Sequence, residues 1–285
     1  MDKKRIDMLA PVTILLLCIC SVAGILSMDF SKSYDFVNQY GDRVAMFGSG
    51  IYAGDTFFSA SINIGTDFCI LLAVVPLFIL AFIKKAKDNS NVNKVNLMAL
   101  YGVAFYYSTS VALGIKYNQL ILIYIALLGC SLFGLFKIYR EIHLEKMVFP
   151  PTRGLKVFLV ISGLAIAVAW MADIIFALFS GRPPELIGVY TTVVTYVVDL
   201  GIIAPLCLIC LHLLNRKDPL GTVNLAGILK LCIVIGIMML PQTAAQYLAG
   251  IEVPLPVLIT KSASFLALGG FAYYFERKLY ASLRA

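Results

Sequence analysis

Apolar positions run along this chain in long stretches separated by short polar breaks. Eight stretches reach the about 20 mostly apolar residues that a membrane-crossing helix needs. They cover approximately 8–28, 57–83, 95–115, 119–139, 157–179, 187–214, 222–250 and 255–275. Pro76, Pro205 and Pro241 fall inside spans and mark candidate kinks. The pattern predicts an all-α, polytopic membrane protein with eight transmembrane helices. Its first stretch follows a basic segment, MDKKRID, as a signal peptide does. The apolar run is about 18 residues, longer than a usual signal core, and no A-x-A site follows. Residues 1–28 therefore read as a retained first transmembrane helix.

Composition agrees. Of 285 residues, 60% are hydrophobic and 14% charged, and mean hydropathy is +0.90. Soluble domains carry about 25% charged residues. A water-soluble globule, a disordered chain, a collagen and a disulfide scaffold are all excluded. The net charge is +7, and its distribution sets an orientation. With the N-terminus inside, seventeen Lys and Arg lie on inner segments. Four (Lys32, Arg43, Lys116 and Arg182) lie outside, and Lys230 and Lys261 fall within spans. The positive-inside rule then places both termini in the cytoplasm. A clustered basic domain with interleaved aromatics is absent, so no nucleic-acid partner is expected.

Two segments share a pattern: Gly-x-Tyr, an Asp, Pro-Leu in an apolar run, basic residues, then Val-Asn-Leu opening the next span. Tyr52 matches Tyr190, Asp67 matches Asp199, Pro76 matches Pro205 and Asn96 matches Asn224. This points to a 4+4 parallel internal repeat with an axis along the membrane normal. The organisation is then the first helix at 1–28, an outer loop at 29–56, the rest of the first four-helix repeat at 57–149, and the second repeat at 150–285. Phe149-Pro150-Pro151 marks the junction.

Five charged side chains fall within spans: Asp67, Asp173, Asp199, Lys230 and Lys261. Such groups are costly in hydrocarbon and should face protein or water. Asp199 lies roughly 22 Å from the inner end of its span, and Asp67 lies at similar height. Lys230 lies about 12 Å from the inner face, from where its side chain can climb toward Asp199 or snorkel to headgroups. Asp173 and Lys261 match in height and form the expected ion pair, with Gln242 and Gln246, one turn apart, joining the same outer polar cluster. The bland alternative for all of these is an interhelical strut. For Asp67 and Asp199, desolvation suits proton or cation handling.

The outer loop carries Tyr34, Tyr40, Phe47 and Tyr52 among glycines and acids. It reads equally as a lid over a cavity or as a packed plug. Its Gly-x-Gly runs lack the strand–helix context of a nucleotide site. The seven cysteines, including Cys207-x-x-Cys210, all lie in apolar spans and behave as small hydrophobes. His143 and His212 have no second ligand at metal spacing, so no metal and no cofactor are expected.

The run from Gly41-Asp42 to Asp67 with Pro76-Leu77, and the run Gly188-Val189-Tyr190-Thr191 to Asp199-Leu200-Gly201 with Pro205-Leu206, are similar to an uncharacterised family of bacterial polytopic membrane proteins. The resemblance implies a bacterial cytoplasmic membrane location and supplies no activity. Three functional classes stand. The first is a small-molecule or ion transporter, with Asp67, Asp199 and Lys230 as binding or proton-coupling groups and Asp173, Lys261, Gln242 and Gln246 at the outer entrance. The second is an intramembrane lipid-acting enzyme. The third is a non-catalytic subunit that binds a protein partner, or a further copy of itself, through its outer loop.

Overall fold

A computed structural model describes residues 8–251 and 255–284. The chain is 76% helical. Its long helices are α1 (Leu9–Leu26), α2 (Phe57–Lys87), α3 (Asn91–Leu113), α4 (Ile121–Glu141), α5 (Arg153–Ser180), α6 (Val194–Asn215), α7 (Pro219–Leu248) and α8 (Leu255–Ser282). Local chemistry sets several boundaries. Thr56, Thr152 and Asp218 cap α2, α5 and α7, each side chain accepting from a first-turn backbone N–H. Pro219 opens α7, where its missing N–H costs nothing. Gly181 ends α5 with φ 66°, a left-handed conformation that suits glycine.

Among the described residues, six helices are long and apolar enough to cross a bilayer: α1, α2, α4, α5, α6 and α7. The chain is thus a multi-pass membrane protein in contact with lipid. The expectation of eight crossing spans is met only in part: α3 does not reach that standard, and α8 contains residues that lie outside the described ones. In α3, thirteen of twenty-three residues are buried, Lys94 among them. Its surface is satisfied by protein, which relieves it of the need to be apolar throughout.

The outer loop holds an antiparallel hairpin, β1 (Ser33–Val37) and β2 (Arg43–Phe47), that the apolar pattern does not announce. Every residue of β1 is exposed, while Met46 and Phe47 at the end of β2 are buried. Phe47 packs against Phe57 at 5.8 Å and Phe30 at 6.1 Å, forming a small core with Tyr52, Ala60 and Ile64 over the helix ends. This end of the loop is therefore packed onto the helix ends.

Helix α7 is the centre of the bundle: 67% of its most apolar window is buried, against 22% for α5. It packs on α8, α2, α6 and α3. The contacts fall into corresponding sets. Helix α3 packs on α4 as α7 packs on α8, α1 on α2 as α5 on α6, and α2 on α7 as α6 on α3. Gly65 permits the close approach of α2 to α7, because a Cβ there would strike the backbone of Pro241 and Gln242.

Candidate functional site: two carboxylates on consecutive tyrosines

Helices α2 and α6 carry the same irregularity. In α2 a π-helical segment, Ile70–Val74, ends two residues before Pro76. In α6 the segment Asp199–Ile203 ends two residues before Pro205. A proline removes one backbone donor and crowds the preceding turn, and a widened turn accommodates this. Such segments recur at functional sites in helices. Asp199 opens the second π segment, while Asp67 lies three residues before the first. Registered on the prolines, Asp67 stands opposite Tyr196, about one helical turn from the position matching Asp199.

Both acids lie against α3. Asp67 is fully buried. Its Oδ1 accepts from the Tyr107 hydroxyl at 2.6 Å and its Oδ2 from the Tyr52 hydroxyl at 2.6 Å. A Cβ at Gly24 of α1 would occupy the place of that carboxylate, so Gly24 makes room for it. Asp199 is 8% exposed. Its Oδ1 accepts from the Tyr106 hydroxyl at 3.0 Å and its Oδ2 from Trp170 Nε1 at 2.8 Å. Two consecutive residues of one helix thus hold carboxylates from α2 and α6, through hydroxyls whose parent positions differ by about 1.5 Å in rise. All four carboxylate oxygens are satisfied by neutral donors, and among the described residues neither acid has a cation within ion-pair distance.

The remaining expected site residues disperse. Lys230 does not reach Asp199; it pairs with Glu276 of α8 at 2.8 Å, and both are 7% exposed. Asp173, exposed on α5, accepts from the Tyr196 hydroxyl at 2.8 Å. Its expected partner, the Lys261 side chain, lies outside the described residues. Tyr196 also packs against Trp170 at 4.9 Å, joining Asp173 to the surroundings of Asp199. Gln242 donates to Thr66 Oγ1 at 2.8 Å, which places it beside Asp67's helix instead of with Asp173. Gln246 is buried in α7.

Sequence reasoning missed Tyr52, Tyr106, Tyr107 and Trp170. A signal was available: the chain's single tryptophan and a Tyr-Tyr pair inside an apolar span.

It also missed Asp55, which ties the outer loop to the loop before α6. Asp55 is fully buried. Its Oδ1 accepts from the Lys116 backbone N–H at 2.7 Å and the Tyr190 hydroxyl at 2.8 Å, while its Oδ2 is buried without a hydrogen-bond partner. Asn38 Nδ2 adds a bond to the Gly188 carbonyl at 2.9 Å. Burial pushes the Asp55 carboxyl up from 3.8 to about 6, against the pull of the Lys116 N–H, the Tyr190 hydroxyl and the Lys116 charge.

Comparison with family models, curated proteins and solved structures finds no match for the chain. The functional reading therefore rests on the geometry alone.

Proposed function

We propose that the protein is a small-molecule or ion transporter of the bacterial cytoplasmic membrane, with both termini cytoplasmic and Asp67 and Asp199 as its proton- or cation-coupling pair. One observation carries the reading: two intramembrane carboxylates, without cationic partners among the described residues, are held by neutral donors on consecutive positions of one helix. A strut needs no second copy of this arrangement. A carboxyl group held by neutral donors can exchange a proton or a cation without breaking an ion pair. Protonation also alters which of its tyrosine or tryptophan bonds persist, and so couples charge to the packing of α3 against α2 and α6. The closure around Asp67 then corresponds to an occluded state, with the plug shut.

We read the bundle as two parallel four-helix repeats, 1–149 and 150–285. The corresponding packing sets and the paired π segments with their prolines support this. A second reading, an intramembrane lipid-acting enzyme, draws on Asp173, which is exposed on α5 and connected through Tyr196 and Trp170 to Asp199.

The test begins with a thermal-shift screen of purified protein against monovalent cations, amino acids and organic cations. Each compound that stabilises the protein is then applied to proteoliposomes loaded with a pH-reporting dye. Wild type should move protons with the compound, and Asp199→Asn and Asp67→Asn should not. Undiminished proton movement in both variants removes the coupling role. Turnover of added phospholipid by wild type but not by Asp173→Asn would favour the enzyme.

A further inference from the structure

At the end of the bundle opposite the hairpin, the last two turns of α8 border a cleft of about 310 Å³. Its walls are Glu276, Arg277, Tyr280, Ala281 and Arg284. This volume lies at the lower end of the about 300–1,000 Å³ typical of small-molecule sites. Arg277 lies on α8 and Arg284 two residues past its end, with Tyr280 between them, and all three line the cleft.

The floor of the cleft is electrically balanced. Glu276 is held by Lys230 of α7, so its carboxylate does not oppose an entering anion. The two guanidinium groups have no such balance: among the described residues, neither forms an ion pair with a carboxylate. The contents of the cleft are thus donors of positive charge above a neutral base.

Its depth is marked as well. Tyr273 and Tyr274 are each 51% exposed just before the cleft, and Lys278 lies over the Tyr274 ring at 4.5 Å. Exposed tyrosines beside lysine on a membrane helix sit at the headgroup boundary. One turn further along, Arg277 falls where a side chain at headgroup level is expected.

We infer that this cleft is a phosphate-binding site, with Arg277 and Arg284 as bidentate donors beside Tyr280, whose hydroxyl donates to Asn96 Oδ1 at 3.5 Å, and that it is occupied by the headgroup of an anionic phospholipid of the adjoining leaflet. The general attraction of a basic membrane face for anionic lipid is the competing account. It differs in one respect: it depends on the number of positive charges at that end and not on which residues bear them.

Binding of phosphatidylglycerol and phosphatidylcholine is measured on detergent-solubilised protein by native mass spectrometry, away from any bilayer surface potential. The double variant Arg277→Gln/Arg284→Gln is compared with Lys84→Gln/Lys87→Gln, which removes the same charge from the end of α2. Wild type should prefer phosphatidylglycerol. The arginine variant should bind it about thirtyfold more weakly, and the lysine variant should match wild type. Tyr280→Phe, which keeps the packing of the ring and removes only the bond to Asn96, should match wild type. Equal losses in the two double variants, or full binding in the arginine variant, would overturn the proposal. A monodisperse elution profile of each variant separates lost binding from lost folding. Displacement of the lipid by sn-glycerol 3-phosphate would keep the phosphate site and assign it to a soluble ligand; its failure to displace would assign it to lipid.

Discussion

The clasp at Asp55 should loosen as pH rises, and Asp55→Asn should abolish that dependence. When the clasp opens, the carboxyl meets water and loses its proton near 3.8; when closed, it does so near 6. The closed form thus binds the proton more tightly. The stability this contributes is fully present below about pH 4 and is lost as pH rises through about 6. Asp55 is fully buried, so solvent does not screen the effect. At about 1.4 kcal/mol per tenfold change, the difference is about 3 kcal/mol, or a change on the order of 100-fold in the ratio of closed to open clasp. Hydrogen exchange at the Lys116 N–H, which donates to Asp55, reports the opening. Corrected for intrinsic exchange, its protection in wild type should fall between about pH 4 and pH 6 and then level. In Asp55→Asn, which retains an acceptor oxygen, it should be flat. Protection that rises with pH, or equal slopes in both proteins, would refute the reasoning.

Three further outcomes follow from the packing. Gly65→Ala forces α2 away from Pro241 and Gln242, and should lower stability by about 1–3 kcal/mol in thermal unfolding; an unchanged midpoint would show that the two backbones are not so close. Lys230→Met leaves the Glu276 carboxylate buried and uncompensated, at a cost of about 3–5 kcal/mol. The double change Lys230→Met/Glu276→Leu should restore most of this, and no recovery would mean that Lys230 acts through some other contact. Finally, an impermeant maleimide should label Ala45→Cys only from outside the cell and Asp88→Cys only from inside, and the reverse would invert the topology.

The helical bundle was legible from the chain because lipid imposes a simple rule. A segment without water must satisfy its own backbone and present apolar side chains, so length and hydropathy alone reveal it. The rule weakens for α3, where burial against other helices replaces contact with lipid and polar residues become tolerable. It is silent on the hairpin, whose exposed first strand carries no pattern of a buried face. Asp67 and Asp199 stood out because an ionisable residue is rare in a span, and Lys230 stood out for the same reason. Their partners did not. A tyrosine or tryptophan in a span is ordinary, and only assembly shows which carboxylate its hydroxyl or ring N–H meets.

By itself, then, the sequence determined the membrane environment, the approximate spans and the residues that cannot face hydrocarbon alone, since these follow from the cost of moving each residue out of water. The tertiary structure decided the pairings: Lys230 with Glu276, Gln242 with Thr66, and the two acids with Tyr107 and Tyr106. Partner choice depends on which helix faces are turned toward one another. That is a property of packing among eight rods, and no single span encodes it.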